Sequence, residues 1–173
     1  MKKIRLADLL VFAMLGSIMF ISKLIMEFLP NIHPIAMFIT VFTLVYRKRA
    51  LIPIYIYVIL VGLYGGFNLW WVPYIYIWTI LWAMVMLIPK NLSNKKLALF
   101  SCLVCALHGI LYGTMYAPAQ ALLFGLNFKM TVAWVVAGLP WDFIHMLGNI
   151  ALSTLIIPLY KVLSKIEAKR SNN

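Results

Sequence analysis

The lysine and arginine residues of this chain are confined to four short clusters, and long apolar stretches separate the clusters. All but two of the fifteen, Lys23 and Lys129, lie at residues 2–5, 47–49, 90–96 and 161–170. Hydrophobic residues make up 65% of the chain, which leaves no polar face on which a water-soluble domain would keep these charges hydrated. The pattern predicts an integral membrane protein. Because translocating cationic loops is unfavourable, all four clusters and both termini are expected on the cytoplasmic side.

The intervals between the clusters limit the number of membrane crossings. A spanning helix needs roughly 20 residues, so the interval 6–46 has room for two helices with a turn at Pro30-Asn31. The interval 50–89 has room for two more, with a turn at residues 65–68. Each interval must hold an even number of crossings if its flanking clusters share one side.

The third interval, residues 97–160, predicts two further helices with long outer ends. Pro118 indicates a broken stretch in one of them, and Pro140 is suited to a helix start because its missing N–H is no loss there. The predicted fold class is therefore all-α, an integral membrane bundle of six transmembrane helices with both termini inside. It forms a single substrate-binding domain over residues 1–173.

The net charge of +11 does not indicate a nucleic-acid partner, because the cations form a rim of loops and no RNA-reading motif accompanies them. Anionic membrane lipids are the expected counterions. The first apolar segment lacks a small-residue cleavage site, which predicts a retained helix and not a signal peptide. Short loops that specify orientation are typical of the bacterial cytoplasmic membrane.

Polar and aromatic side chains are concentrated in the helix halves that lie away from the cations. Polar groups in hydrocarbon cost several kcal/mol unless they meet partners or a cavity. The asymmetry predicts a polar, aromatic cavity that opens to the outside. The candidate substrate-binding residues are Glu27, Asn31, His33, Trp71, Tyr74, His108, Tyr112, Tyr116, Gln120, Trp141, Asp142, His145 and Asn149.

Spacing groups some of these candidates on common helix faces. Asp142, His145 and Asn149 are spaced i, i+3 and i+7, which predicts one stripe facing a ligand, although an acid in the first turn of a helix also favours the helix dipole. His108, Tyr112 and Tyr116 repeat every four residues and indicate either a packing face or a ligand face.

Three other groups of residues each have two interpretations. Lys23 and Glu27, at i and i+4, are suited to an ion pair or to a ligand contact. Trp71 and Tyr74 lie where an interfacial aromatic belt is expected, and Gln120 follows Pro118 in a possible substrate lid. The small residues Ala13, Gly16 and Ser17 allow close approach of a helix, either within the bundle or from another subunit.

With these features the chain resembles the substrate-binding S components of energy-coupling factor (ECF) vitamin transporters. The resemblance rests on length, topology, a short second helix, the turn Leu29-Pro30-Asn31-Ile32-His33, the pair His108-Gly109 and the segment Trp141-Asp142-Phe143-Ile144-His145. Members of the family carry an Ala-x-x-x-Ala pattern on the first helix that docks onto the coupling subunit. Ala13-Met14-Leu15-Gly16-Ser17 matches it, with Ser17 in place of the second alanine.

The resemblance implies a division of labour. This chain captures a vitamin-like small molecule, while a transmembrane coupling subunit and two cytoplasmic ATPases use ATP to drive uptake. The sequence agrees, because it contains no phosphate-binding loop of the Gly-x-x-x-x-Gly-Lys-Ser/Thr type. We expect no enzymatic activity, no metal and no cofactor in this chain itself. The alternatives are an intramembrane enzyme that uses His and Asp, a stand-alone secondary transporter, and an assembly factor without a ligand.

Overall fold

The computed structural model describes residues 5–172, and their side chains as far as Arg170. The described part is all-helical, without strands, and contains eight α-helices and two short 3₁₀ turns. The helices are α1 (Leu6–Ile25), α2 (Ile35–Tyr46), α3 (Leu51–Gly65), α4 (Tyr74–Met86), α5 (Asn94–Ile110), α6 (Tyr112–Phe124), α7 (Phe128–Ser153) and α8 (Ile156–Asn172). The 3₁₀ turns are Arg47–Ala50 and Leu69–Trp71.

The eight helices form six rods, because two pairs follow each other almost without interruption. Only Leu111 separates α5 from α6, and the Met115 amide donates to the Leu111 carbonyl at 2.8 Å, so the pair runs as one rod. Residues 154–155 separate α7 from α8. The turns between α1 and α2 and between α3 and α4 fall where the sequence predicts them. At the second turn Gly66 has a φ of +83°, a conformation that favours glycine.

Within residues 5–172, four helical stretches are long and apolar enough to cross a membrane. These stretches are Leu6–Ile25, Leu69–Met86, Asn94–Phe124 and Phe128–Ser153. They are compatible with a multi-pass membrane protein, as the sequence predicts.

Two predictions about proline were wrong. Pro140 does not start a helix but lies inside α7, which begins at Phe128. The reason is the cap at Asn127, whose side chain accepts a hydrogen bond from the Met130 amide at 2.9 Å and satisfies a first-turn donor. Pro118 likewise lies inside α6, so the chain is not broken there. The interruption comes earlier, at Leu111.

Helix α2 lies at the centre of the bundle. Nine of its residues are buried, since it is apolar on all sides and packs against both α4 and α8. Around it, α1 packs on α3, and α5 packs along α7. This arrangement leaves the two ends of the rods to carry the polar groups.

At one end, three of the four cationic clusters meet at a buried carboxylate. Asp8 forms ion pairs with Arg5, Arg49 and Arg170, and Arg170 also binds Glu167. Residues close to both ends of the chain therefore lie at the same end of the bundle, which we call the basic end. Lys2 and Lys3 lie outside the described residues.

The third cluster joins the basic end through the turn after α2. The Arg47 guanidinium donates to the Met86 carbonyl at 3.1 Å, which ties this turn to the end of α4. Arg47 and Lys90 also line one small cavity together with Tyr160, the residue before the fourth cluster. The common location of the cation clusters, which the sequence predicts, is therefore seen in the packing.

Candidate functional site

A cleft of about 210 Å³ lies at the opposite end of α1, beneath the connection to α2. Its lining combines the end of α1, the connection, and single residues from α4, α6 and α7. The lining residues are Lys23, Met26, Glu27, Leu29, Pro30, Asn31, Ile32, His33, Tyr74, Tyr112 and His145. Seven of these are polar, charged or aromatic residues that also have hydrogen-bonding groups, so the cleft is suited to a small polar ligand.

The three histidines of the chain converge below this cleft. His33 ends the connection before α2, His108 lies in α5 and His145 in α7. The ring centroids of His33 and His145 are 5.0 Å apart, and those of His108 and His145 are 6.4 Å apart. We call these residues the histidine cluster. All three are candidates from the sequence, and the fold brings them together from three separate rods.

Each histidine of the cluster has a buried nitrogen without a hydrogen-bond partner. The atoms are Nδ1 of His33, Nδ1 of His108 and Nε2 of His145. The Nε2 atom of His108 lies 3.3 Å from the Ile77 carbonyl, so it carries the proton and Nδ1 is an acceptor when the ring is neutral. A buried polar atom without a partner costs about 1–3 kcal/mol. Such atoms in one place indicate a site that a ligand or water completes.

Trp78 lies at the centre of the aromatic residues around this cluster, and it was not among the candidates predicted from the sequence. Its ring stacks on His108 at 5.6 Å, and it lies within 6.1 Å of the rings of His33 and Tyr57. Both Trp78 Nε1 and Tyr57 Oη are buried without partners. The available signal was spacing, because Trp78 follows the candidate Tyr74 by one helical turn and the two rings are 5.6 Å apart.

Burial and its surroundings keep His33 neutral. The pKa of His33 is lowered to about 3, mainly by removal from water and in addition by the neighbouring His145 and Lys23. At neutral pH this imidazole therefore offers one donor and one acceptor. An uncharged ring is suited to the edge of a neutral ligand.

Two members of the predicted α7 stripe are engaged inside the protein. The Asp142 carboxylate accepts hydrogen bonds from the Gly113 amide at 3.1 Å, and the Asn149 amide donates to the Cys105 carbonyl at 3.0 Å. These bonds fix α7 against α5 and α6. Of Asp142, His145 and Asn149, only His145 lines the cleft.

Charged residues lie at the mouth of the cleft. Lys23 and Glu27 form the ion pair that their i, i+4 spacing suggests, with 3.6 Å between Nζ and Oε1. Asn31 follows in the connection with a φ of +58°, a left-handed conformation that asparagine tolerates. The connection thus covers the cleft in a tight turn.

The aromatic candidates divide between the cleft and its surroundings. Tyr112 lies 4.9 Å from His145 and lines the cleft together with Tyr74. Tyr116 extends the series outward, where its hydroxyl donates to the Trp70 carbonyl at 2.9 Å. Trp71 instead donates to the Val58 carbonyl at 2.8 Å and packs within its own hairpin.

The remaining candidates lie apart from the cleft. Gln120 and Trp141 do not line the cleft, and Trp141 is exposed on α7. Among the predicted docking residues, Ala13 is exposed and Ser17 half-buried, but Gly16 is buried against α3. A Cβ at position 16 would lie 2.6 Å from Ile56 Cγ2. Within the small-residue patch, Gly16 therefore packs inside the bundle, whereas Ala13 lies on its outer face.

No protein-family model, curated protein or solved structure matches this chain. The candidate site is therefore defined by its geometry. Within residues 5–172, no group of three His, Cys, Asp or Glu side chains is placed to hold a metal ion. The residues that line the cleft offer imidazole and phenol groups that can stack on a flat ring and bind its edges.

Proposed function

We propose that this protein is the substrate-capture S component of an ECF-type importer. In this proposal six helical rods cross the bacterial cytoplasmic membrane, the basic end faces the cytoplasm, and the cleft opens to the outside. The chain binds a vitamin or a related micronutrient, and an ATPase-driven coupling module completes uptake. The observation that supports the proposal most is the group of five buried polar atoms without partners around the histidine cluster and Trp78.

Binding explains these atoms better than catalysis does. A nucleophile or general base needs a hydrogen-bonded partner that activates or orients it. Among the described residues, no hydroxyl, thiol or carboxylate is hydrogen-bonded to His33, His108 or His145. Asp142, the nearest acid of the predicted stripe, is bound to the Gly113 amide instead. This favours capture over an intramembrane enzyme.

The ligand class follows from the walls of the site. Tyr74 and Tyr112 line the cleft and supply aromatic faces, and His33 and His145 supply edges that accept or donate hydrogen bonds. The Lys23–Glu27 pair leaves the mouth close to neutral. We therefore expect a flat, largely uncharged ring system with polar edges.

Transport by this chain needs partners. The described connections between rods are short, and the sequence lacks a phosphate-binding loop. A coupling subunit and two ATPases would supply the energy, and the exposed side of α1 around Ala13 is the proposed docking face.

The first test is a tryptophan-fluorescence titration of the purified protein against a panel of B vitamins and their precursors. The ring of Trp78 packs against the cleft residue Tyr74, with 5.6 Å between the ring centroids, so Trp78 serves as the fluorescence reporter. We expect saturable quenching at submicromolar concentration by one compound. Tyr112→Phe, which removes a hydroxyl at the cleft, should weaken this binding, whereas Tyr64→Phe, which removes an exposed hydroxyl outside it, should not.

Copurification separates the alternatives. Capture of a transmembrane subunit and two ATPases with the tagged chain would support the importer. Silence across the panel, together with a chain that purifies alone, would contradict the proposal and favour the enzyme, the stand-alone transporter or the assembly factor.

A further inference from the structure

An apolar groove of about 240 Å³ runs along the outside of the bundle between α1, α2 and α8. Its walls contain no polar side chain. The lining residues are Leu15, Ile18, Phe38, Val41, Phe42, Leu159, Val162, Leu163 and Ile166. Val162 and Ile166 at its lip are more than half exposed. The groove is separate from the cleft, because the two share no residue.

The groove points towards the basic end. Along α8 it extends from Leu159 to Ile166, about 10 Å at 1.5 Å per residue. On α1 and α2 the residues nearest the basic end are Leu15 and Phe42. An elongated apolar ligand that enters from the side would therefore lie parallel to the helices.

Two exposed lysines border the end of this groove. Lys165 follows Val162 by three residues, and Lys169 follows Ile166 by three residues, so both project next to the groove on the same side of α8. They are four residues apart and therefore adjacent on the helix surface. Among the described residues neither has an ion pair.

Among the described side chains, no carboxylate is left at this end to neutralise the lysines. Glu167 is bound by the Arg170 guanidinium at 2.7 and 3.0 Å, and Asp8 is shared by three arginines. The local charge therefore favours an anion. An apolar groove that ends at two unpaired cations matches a molecule with an acyl chain and a negative headgroup.

We propose that this groove is a binding site for an anionic phospholipid. One acyl chain lies against Phe38, Val162 and Ile166, and the headgroup phosphate binds Lys165 and Lys169. A helix of a partner protein is the competing occupant, but two unpaired lysines at the end of the groove favour a phosphate over an apolar helix.

The test is native mass spectrometry of the intact chain in detergent, titrated with phosphatidylglycerol and with phosphatidylcholine of the same acyl chains. We expect the first phosphatidylglycerol to bind at least tenfold more tightly than phosphatidylcholine. Lys165→Gln/Lys169→Gln should reduce the affinity for phosphatidylglycerol about thirtyfold, because each lysine near an anionic lipid surface contributes a roughly fivefold electrostatic attraction.

The matched control is Lys95→Gln/Lys96→Gln, which removes the same charge from two exposed lysines at the start of α5. It should leave the affinity unchanged. Val162→Phe, which narrows the groove at its exposed lip, should weaken binding of phosphatidylglycerol with both lysines in place.

Four results would overturn the proposal. Equal losses in both lysine double variants would indicate bulk charge alone. Competition by glycerol phosphate as strong as that by the intact lipid would indicate a phosphate site without an acyl-chain groove. Equal affinity for both lipids would show that the groove does not prefer an anion. Burial of Val162 from its surroundings only in a complex with a partner subunit would assign the groove to a protein.

Discussion

The imidazole rings of His33 and His145 lie 5.0 Å apart, although one ends the first interhelical connection and the other lies in the middle of α7. Each ring has a buried nitrogen without a partner. The fold thus holds two polar groups together and leaves one nitrogen of each without a hydrogen bond. Stabilising mutations that remove such groups are easy to find, so their presence indicates that binding needs them.

Replacing His145 by Phe should separate binding from stability. The substitution keeps a ring against Tyr112 but removes the unpaired Nε2 atom. We expect at least a tenfold loss of ligand affinity, with a thermal midpoint that is unchanged or higher, because an unsatisfied buried atom has been removed. Titration and thermal unfolding of the same preparation measure both. A lower midpoint with full affinity would instead mean that His145 only packs.

Replacing Asp142 should lower stability and leave ligand affinity unchanged, the opposite of the result expected for His145. Asp142→Ala leaves the Gly113 amide without its acceptor, at a cost of about 1–3 kcal/mol of stability. Asp142→Asn keeps an acceptor oxygen and should be milder. Unfolding in denaturant distinguishes the two variants. If both lose ligand affinity and neither loses stability, the carboxylate contacts the ligand directly.

Two substitutions in α1 should distinguish internal packing from docking of a coupling subunit. Gly16→Val forces side-chain atoms against Ile56 and the Pro53 carbonyl, which lie within 2.9 Å of a Cβ at this position, and should destabilise the protein by about 1–3 kcal/mol. Ala13→Leu on the exposed side should leave stability unchanged and reduce copurification of a coupling subunit. Normal copurification in Ala13→Leu would place the docking face elsewhere.

Acid should destabilise the protein through His33. Its pKa is lowered to about 3 in the folded protein, against 6.5 when unfolded. Below pH 6.5 the unfolded chain binds a proton that the folded chain excludes, so stability falls between pH 6.5 and 3 by up to about 1.4 kcal/mol per pH unit. Above pH 6.5 this effect is absent. As the pH falls through this range, the thermal midpoint of wild type should fall more steeply than that of His33→Gln; parallel curves would contradict the assignment.

The sequence predicted the large-scale arrangement because charge and hydrophobicity act at long range along the chain. The positions of the cation clusters predicted a common side, and three of the four clusters meet at Asp8 through its ion pairs with Arg5, Arg49 and Arg170. The same reasoning overlooked Asp8 itself. Nothing in a single acid at the start of a helix indicates which distant arginines it will bind.

The details of the site were harder to predict because they depend on contacts between rods. Spacing placed His108 and His145 on helix faces but did not show that His33 joins them. It also did not show that Asp142 and Asn149 bind the backbone of α5 and α6. Pro140 was misassigned because a cap several turns away, at Asn127, decides where α7 begins.

The ion pairs of Asp8 also have a consequence for the order of assembly. Its carboxylate belongs to α1, whereas Arg170 belongs to α8, which is synthesised after the other described helices. During translation the carboxylate therefore meets this arginine only after α8 has been made. Until then Arg5 and Arg49 are its described ion-pair partners.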